Sequence, residues 1–281
     1  MKRGRVLMHR CVIAGVQATA ADTAQSFGRH SHDTFGVGVV WRGAQRSASG
    51  RGPVEARVGD IITVNPGEVH DGKPFDERGR AWRMLYFEPS LLYDVASELG
   101  VPGYASVAFE QPVLHDGPLA ARFEQAYAAA TGCAATTDDA LACETSLFSL
   151  MAHCVRAQTT AGEQVPACET REPTGSASVL IRRARARIDD DPCSAVTLAE
   201  LAAQAGMSRF QFLRAFARDT GLPPHAYLVQ RRIALAHRLI ARGAVLADAA
   251  AGAGFADQSH MTRAFVRAFG VTPAQYAAAV R

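Results

Sequence analysis

The chain has 281 residues, of which 48% are hydrophobic, and a formal net charge of +3, a length that allows two domains with a sizeable core each. It contains no stretch of 18 apolar residues, and its basic start leads only into a short apolar run broken by Gln17 and Thr19. Composition therefore excludes a membrane-spanning helix and argues against a signal peptide, so we expect a cytoplasmic protein without a membrane partner.

The first predicted elements are short strands between Thr34 and Phe87. Apolar residues alternate within TFGVGVVW (34–41) and WRMLYFE (82–88), DIITVN (60–65) is a short apolar run, and Gly/Pro turns separate the three segments. Short strands at roughly ten-residue spacing are typical of an antiparallel barrel or sandwich.

The alternation also assigns faces to these strands, because successive side chains of a strand point to opposite sides. One face of the later strand carries Trp82, Met84 and Tyr86, and the other carries Arg83, Leu85 and Phe87. In the earlier strand the same rule aligns Phe35, Val37 and Val39 with Trp41. We therefore expect Trp41 to lie in the core.

Three amphipathic helices are predicted next, at Pro89–Leu99, Leu119–Ala130 and Asp138–Ala157, so that residues 1–157 form one domain. The last helix carries an apolar stripe made of Leu141, Leu147, Phe148, Leu150, Met151 and Val155. A dimer contact through the helices of 119–157 and packing against the barrel both explain this stripe.

Residues 158–175 are polar, contain two prolines and two glycines, and show no periodicity, which predicts a linker. A charge difference coincides with it. Up to residue 175 the chain carries 16 Lys/Arg against 20 Asp/Glu, whereas residues 176–281 carry 14 Arg, no Lys and 7 Asp/Glu. A basic block beside an acidic one indicates a polyanionic partner for the basic block alone.

The basic block reads as helices and contains an internal repeat. RAFARDTGLPPHAY (214–227) and RAFVRAFGVTPAQY (263–276) agree at seven of fourteen positions. Each copy follows a short Ala-rich helix and a Gly-containing turn, which is typical of a helix-turn-helix motif. The sequence therefore predicts an all-α domain at 176–281 with tandem helix-turn-helix motifs at about 197–220 and 246–269.

The second helix of each motif has an outer face of side chains that reach base edges and phosphates in a major groove. With the capping residues, the candidate DNA-binding residues are Ser208, Arg209, Phe210, Gln211, Arg214, Asp257, Gln258, Ser259, His260 and Arg263. A duplicated packing unit with solvated faces is the alternative. The tandem arrangement within the basic half favours DNA binding.

Between the two copies, a helix is predicted from Pro224 to Arg242. Its nineteen residues span roughly 28 Å at about 1.5 Å per residue, close to the rise of about 34 Å that separates successive major grooves on one face of DNA. One chain could therefore insert both recognition helices into adjacent grooves.

This half of the chain resembles the DNA-binding domain of the AraC/XylS family of bacterial transcription regulators, and GFADQSHMTRAFVRAFGVTPAQYAAAVR (254–281) is similar to its C-terminal signature. The resemblance implies seven helices and transcription activation by contact with RNA polymerase. It implies base contacts from Phe210, Leu213, Arg214, Gln258, Ser259 and Arg263. Because a polar residue is common in place of Leu213, we favour Arg209 and Gln211 as readers.

In the N-terminal half, RHSHDTFGVGVVWRG (29–43) and VGDIITVNPGEVHDG (58–72) contain His30, His32 and His70. The arrangement resembles the cupin fold, whose enzymes hold a metal with a His-x-His, a following Glu and a later His. No carboxylate occurs in 37–41, where the Glu is expected. We therefore expect no metal or other cofactor, with a zinc or iron site on the three histidines as the alternative.

The fused DNA-binding half favours a pocket for a small-molecule effector over catalysis. The candidate effector-binding residues are His30, His32, His70, Trp82 and Tyr86. An acid–base pair formed by Glu68 and a histidine, in a metal-dependent dioxygenase or isomerase with an accessory helical domain, is the enzymatic alternative.

The six cysteines show no C-x-x-C pair and no regular spacing, which indicates reduced thiols rather than a disulfide or metal framework. The sequence thus predicts an α+β protein of two domains, a cupin-like antiparallel barrel with flanking helices and an all-α tandem helix-turn-helix domain. Its predicted function is that of a homodimeric regulator that activates transcription at promoter DNA and is controlled by an effector in the barrel.

Overall fold

The computed structural model describes residues 4–11, 13–101, 107–132, 137–159 and 176–280. The chain divides into two compact units, and the division falls within 160–175, outside the described residues. The predicted linker at 158–175 lies almost wholly there, so its limits stay a prediction. Cys133 and Cys168 also lie outside the described residues. The other four cysteines are free thiols, of which Cys143 and Cys154 are buried, Cys11 is partly buried and Cys193 is exposed.

The N-terminal unit is built on antiparallel strands. In the described residues these are β1 (Arg5–His9), β2 (Val16–Thr23), β3 (Phe27–His30), β4 (Phe35–Arg42), β5 (Ala44–Ser49), β6 (Gly52–Arg57), β7 (Ile61–Val64), β8 (His70–Pro74), β9 (Arg80–Phe87) and β10 (Val113–Leu114). They form a large sheet in the order β1-β2-β9-β4-β7-β10 and a small sheet in the order β3-β8-β5-β6. The two sheets face each other, since the ring of Phe27 in β3 meets that of Trp82 in β9 at 5.9 Å.

The large sheet has two different faces, which follow the predicted alternation. Leu85 and Phe87 are fully buried in the main core. Met84, on the opposite face of β9, belongs to a separate cluster between the sheets, where Trp82 and Tyr86 pack against it. One face of β9 thus serves the core, and the other faces the interior shared with the small sheet.

Three helices complete the main core of this unit: α1 (Pro89–Glu98), α2 (Gly117–Thr131) and α3 (Thr137–Thr159). On α3, the core takes up most of the apolar stripe, namely Leu147, Leu150, Met151 and Val155. Leu141 and Phe148 remain 64% and 40% exposed. Packing against the sheet therefore explains four of the six stripe residues.

Trp41 is not in the core, contrary to expectation, because its side chain is 44% exposed. The register between β4 and β9 shifts between Val40 and Arg42. Such an irregularity adds a residue to one strand and breaks the alternation, so Trp41 leaves the face that Phe35, Val37 and Val39 share.

The C-terminal unit consists of helices in the part of the chain that the structure describes. They are α4 (Ser176–Asp190), α5 (Leu198–Gln204), α6 (Arg209–Thr220), α7 (Pro224–Ala241), α8 (Leu246–Gly252), α9 (Gln258–Phe269) and α10 (Pro273–Val280). No described helix is both long and apolar enough to cross a lipid bilayer.

The ends of these helices follow from their sequence. Thr197 and Ser208 each form a capping box with the residue three positions later, and the Asp257 side chain accepts a hydrogen bond from the His260 amide. The recognition helices α6 and α9 end at Gly221 and Gly270, whose φ angles of 77° and 72° favour glycine.

The two turns differ in length. One residue, Met207, lies between Gly206 and the cap Ser208, whereas Phe255 and Ala256 lie between Gly254 and Asp257. Phe255 is 5% exposed and Ala256 is exposed. Phe255 takes the place that Met207 takes in the shorter turn, since each backbone amide donates to the carbonyl five positions back, and Ala256 is the additional residue.

Candidate DNA-binding surface and effector site

The first recognition helix, α6, buries one face and exposes the other. Phe212 and Phe216 are fully buried, which fixes the orientation of the helix. Arg209, Phe210 and Arg214 are exposed on the outside, Phe210 to 68%. The Arg214 guanidinium lies 5.6 Å from the centre of the Phe210 ring, a distance that suits a cation–π contact. These two predicted residues therefore form one exposed pair.

Gln211 and Leu213 depart from a simple reading role. The Gln211 side-chain oxygen accepts a hydrogen bond from the Ser208 amide, and the Ser208 hydroxyl accepts one from the Gln211 amide. These two hydrogen bonds cap the helix, which leaves the side-chain NH2 group of Gln211 for a further contact. Leu213 is 38% exposed on the same side as the predicted readers, so an apolar contact is available there.

The second recognition helix, α9, follows the same design. Met261 and Phe265 are fully buried, whereas Gln258, Ser259 and Arg263 are exposed. His260 is only partly exposed, and its ring meets the Phe255 ring edge-on at 5.2 Å. Three of the predicted outward residues thus lie on the surface, while His260 also supports the turn.

The arginines of this unit have two different environments. Arg185 and Arg231 both form ion pairs with Asp189, at 3.4 and 3.0 Å. Within the described residues, no ion pair to a carboxylate is recorded for Arg209, Arg214 or Arg263. The recognition helices therefore offer positive charge that the described part of the protein does not neutralise.

The repeated residues form the scaffold of the unit. The Tyr227 hydroxyl donates to Asp189 at 2.7 Å and accepts from Arg185 at 3.0 Å. Tyr276, at the matching position, stacks on His237 with 4.1 Å between ring centres. The buried Phe216 ring meets Tyr227 of α7 at 5.6 Å, and the buried Phe265 ring meets His237 of α7 at 6.1 Å, so these contacts hold both recognition helices against α7. The 18 residues of α7 span about 27 Å at about 1.5 Å each.

In the N-terminal unit, the structure brings His30, His32 and His70 together between the sheets. Their ring centres lie 4.5 to 5.3 Å apart, and one nitrogen of each ring lies within 4.8 Å of the others. His30 and His32 are buried. The three predicted histidines therefore form one cluster, although His30 and His70 come from β3 and β8 and are 40 positions apart.

Backbone carbonyls fix the tautomers of two of these rings. Nδ1 of His30 lies 2.7 Å from the Gly28 oxygen, and Nδ1 of His70 lies 3.0 Å from the Glu68 oxygen. Because a carbonyl only accepts, each Nδ1 carries the proton. Burial lowers the pKa of His30 to about 3, helped by His70, and burial also lowers the pKa of His70. Both rings are therefore neutral, with a lone pair on Nε2.

This set fits a divalent transition metal in part. Neutral imidazoles that donate the N–H of one ring nitrogen to a carbonyl and bind metal through the other are common zinc and iron ligands. The group holds no carboxylate among the described residues. The same lone pairs can instead accept hydrogen bonds from a hydroxyl or amide of a bound molecule.

Aromatic side chains from the large sheet line the same interior. The Tyr86 ring lies 5.3 Å from the His32 ring, and burial raises the pKa of Tyr86 to about 12. Trp82 reaches the cluster through Phe27, which meets Trp82 at 5.9 Å and His30 at 6.4 Å. All five predicted effector residues thus belong to one region between the sheets.

Glu68 is not placed for acid–base chemistry. Its carboxylate accepts two hydrogen bonds from Arg51, at 2.9 and 2.6 Å, and two from the backbone N–H and side-chain Nδ2 of Asn65, both at 3.2 Å. Burial alone would raise the pKa of Glu68, but hydrogen bonds from Ser49, Arg51 and Asn65 and the charge of Arg51 lower it below its ordinary value. The carboxylate therefore stays ionised and stabilises the turn before His70.

Arg80, which was not predicted from the sequence, also lies between the two sheets. Its side chain is 1% exposed, and its guanidinium lies 4.5 Å from the centre of the Trp82 ring. The signal was its phase, since Arg80 shares one face of β9 with Trp82, Met84 and Tyr86, opposite the face of Leu85 and Phe87. An arginine in phase with an inward-facing aromatic face is unusual.

The C-terminal geometry, with two capped recognition helices on a shared scaffold, defines a tandem helix-turn-helix protein. Two family models match the chain: the AraC-like ligand binding domain over residues 14–151 and a helix-turn-helix domain over residues 201–279. The chain belongs to the AraC/XylS family of DNA-binding transcription regulators. Both the α+β fold and the assignment to this family, predicted from the sequence, are confirmed.

Known proteins are similar over different lengths. The uncharacterized HTH-type transcriptional regulator YbfI of Bacillus subtilis is 28% identical over 84% of this chain and 82% of its own length. The virulence regulon transcriptional activator VirF of Yersinia enterocolitica is 38% identical over 28% of this chain and 29% of its own length.

Among solved structures, ToxT from Vibrio cholerae aligns over 100% of this chain and 99% of its own, with a TM-score of 0.52 and 11% identity. A second ToxT structure, with an unsaturated fatty acid bound, has a TM-score of 0.52 and 10% identity over 99% of this chain and 95% of its own. At this level of identity the likeness supports the two-part fold alone.

Proposed function

We propose that this regulator binds promoter DNA through α6 and α9 and that a small-molecule effector binds between the two sheets of the N-terminal unit. The observation that carries the proposal is the combination, in one chain, of a histidine and aromatic cluster with exposed arginines on two recognition helices that form no ion pair with the carboxylates described by the structure. Effector binding changes how the DNA-binding unit is presented, which requires different affinities for two conformations of the protein.

On DNA, each recognition helix lies in a major groove. Arg209, Phe210 and Arg214 contact the first half of the site, and Gln258, Ser259 and Arg263 contact the second. Arginine forks suit guanine, and the Gln258 amide suits adenine. The exposed Phe210 suits a thymine methyl group. Ser208 and Asp257 act mainly by capping, which aims the positive helix N-termini at phosphates.

Activation and dimerisation have separate support. VirF, which shares the C-terminal similarity, is named as an activator, and an activator needs a contact with RNA polymerase. Leu141 and Phe148 on α3 are large, exposed and apolar, and exposed apolar side chains of this kind favour contact with a second copy. We propose a cytoplasmic homodimer that activates transcription.

The enzymatic alternative keeps one observation in its favour, the cluster of three neutral histidines. The engaged state of Glu68 argues against acid–base catalysis there. We propose that the cluster recognises a ligand and performs no chemistry. Stoichiometric iron in a purified chain that shows no salt-dependent DNA affinity would support the enzyme instead.

The test of the proposed function uses the full-length chain. DNA fragments selected from a random pool should contain a common sequence with two half-sites about one helical turn apart. Affinity for that site should fall steeply as salt concentration rises, because arginine–phosphate contacts release counterions. A pool that yields no common sequence would contradict sequence-specific regulation.

A further inference from the structure

Arg80 carries a buried positive charge between the sheets. It begins β9 and its side chain is 1% exposed. Burial lowers the pKa of Arg80 to about 10, so the guanidinium is still protonated at neutral pH. Removing a charge from water is costly unless an opposite charge or a full set of hydrogen bonds replaces the solvent. The partners of this side chain are therefore informative.

The described residues give Arg80 neutral acceptors and no anion. Its Nε donates to the Gln45 side-chain oxygen and its Nη1 to the Gln25 carbonyl, both at 3.0 Å. No carboxylate of the described residues contributes to its pKa. In the same unit, Arg42, Arg51 and Arg83 each pair with a carboxylate. Arg80 has five N–H donors, so donors remain for a further acceptor.

Gly72 in β8 keeps space beside this guanidinium. A Cβ atom at position 72 would lie 3.2 Å from Nη2 of Arg80. The φ angle of Gly72 is not positive, unlike those of Gly67 and Gly79, so its conformation does not demand glycine. The absence of a side chain therefore serves the room around Nη2.

Aromatic rings connect Arg80 to the histidine cluster. The guanidinium carbon lies 4.5 Å from the centre of the Trp82 ring and 5.9 Å from that of Phe27. Phe27 in turn lies 6.4 Å from His30. The Phe27 ring thus lies close both to a cation and to a neutral hydrogen-bond acceptor.

We propose that Arg80 is the anion-binding residue of the effector site and that the effector is an organic monocarboxylate with an apolar or aromatic body. The guanidinium fork matches a carboxylate through two parallel hydrogen bonds. A single buried cation balances one negative charge, which favours a carboxylate over a phosphate dianion. The body packs against Trp82 and Phe27. This assignment rests on the proposed function, because it names the ligand class of the same site.

The first test compares acids with matched neutral compounds. Octanoate, phenylacetate and 4-phenylbutyrate are titrated into the full-length chain beside their primary amides, with the melting temperature and heat of binding as readouts. We expect at least one carboxylate to bind roughly 100-fold more tightly than its amide, as removal of a buried charge partner predicts. Equal binding of acid and amide would overturn the proposal.

Variants locate the effect. Arg80→Gln should abolish the preference for the acid, and Gly72→Ala should weaken it by crowding Nη2. Arg83→Gln is the matched control, because Arg83 lies on the same strand with its side chain paired to Glu124, and the preference should persist there. Persistence in Arg80→Gln would assign the preference to another residue.

A second test needs no ligand and covers the case in which the three acids fail to bind or Arg80→Gln does not fold. Gln45→Glu places a carboxylate beside Nε of Arg80. If the buried cation lacks a counter-charge, the melting temperature of the free protein rises, whereas Gln125→Glu on the exposed side of α2 leaves it unchanged. A lower melting temperature in Gln45→Glu would show that the charge is already balanced and would overturn the proposal.

The proposed function can fail separately. If an amide binds as well as its acid and still changes DNA affinity, the regulator has a neutral effector and only the ligand class is wrong. If the wild-type chain selects no DNA sequence, the regulatory role itself is wrong, whatever Arg80 binds.

Discussion

Arginine has opposite environments in the two units. On α6 and α9, the exposed Arg209, Arg214 and Arg263 form no ion pair with a carboxylate among the described residues. In the N-terminal unit, Arg80 is buried and likewise lacks a carboxylate there. The same side chain suits a long polyanion when it is solvated on a helix and a small anion when it is enclosed. Exposure, more than residue type, therefore separates the two kinds of recognition.

The largest effect is expected when the exposed arginines of the recognition helices are removed. The double variant Arg214→Ala, Arg263→Ala should lose about 2–6 kcal/mol of binding free energy on the selected DNA site, since each guanine contact is worth about 1–3 kcal/mol and distant sites add. Fluorescence anisotropy with labelled DNA measures it. Arg242→Ala, outside both recognition helices, is the control. An equal loss on random DNA would show that both arginines contact only phosphate.

Acid should lower the stability of the N-terminal unit, which contains the buried His30. Folded protein keeps His30 neutral down to about pH 3, whereas the unfolded chain protonates it near pH 6.5, so the unfolded state binds more protons between these values. Stability should therefore fall as pH decreases below 6.5, by about 1.4 kcal/mol per unit and about 2 kcal/mol at pH 5.

Urea unfolding followed by tryptophan fluorescence measures this loss, because both tryptophans, Trp41 and Trp82, lie in the N-terminal unit. Chelator is added so that bound metal does not contribute. His30→Gln should weaken the pH dependence and leave the contribution of His70, whereas His225→Gln, at an exposed residue of α7, should not change it. A flat profile in the wild type would contradict the buried neutral state of His30.

A smaller effect concerns the helix ends that aim the exposed arginines. Asp257→Ala removes the hydrogen bond to the His260 amide and should cost about 1 kcal/mol of folding free energy. Asp219→Ala removes an exposed carboxylate from the last turn of α6, where it opposes the helix dipole, and should not destabilise the unit. Urea unfolding followed by far-UV circular dichroism tests both. An unchanged Asp257→Ala variant would show that the cap contributes nothing.

The smallest expected effect on folding is that of Leu141→Gln. Leu141 is 64% exposed, so the free energy of unfolding should change by less than about 0.5 kcal/mol. Its effect on assembly should be larger if α3 forms the dimer contact. Light scattering after gel filtration should show dissociation at lower concentration than in the wild type. An unchanged dimer would place the contact elsewhere.

Local rules predicted the C-terminal unit well. Thr197, Ser208 and Asp257 cap helices as their side chains require, and Gly221 and Gly270 end them. Helix ends depend on residues a few positions apart, so sequence alone contains the information. The alternation along β9 was predictable for the same reason.

Features that depend on distant contacts were not predictable. Trp41 left its predicted face because a register shift breaks the alternation. The ion pair between Arg51 and Glu68 joins residues 17 positions apart. The buried Arg80 is hydrogen-bonded to Gln45 in the other sheet. The histidine cluster was anticipated as a group, but its tautomers follow from carbonyl positions that only the folded backbone supplies.

The unequal turns before α6 and α9 limit how this protein can be re-engineered. A recognition helix cannot be exchanged alone here, because the turn before α9 has one more residue after Gly254 and contains the buried Phe255. A graft that alters DNA preference should therefore exchange only outward positions, or move a turn together with its helix. The two helix-turn-helix motifs should therefore tolerate different substitutions.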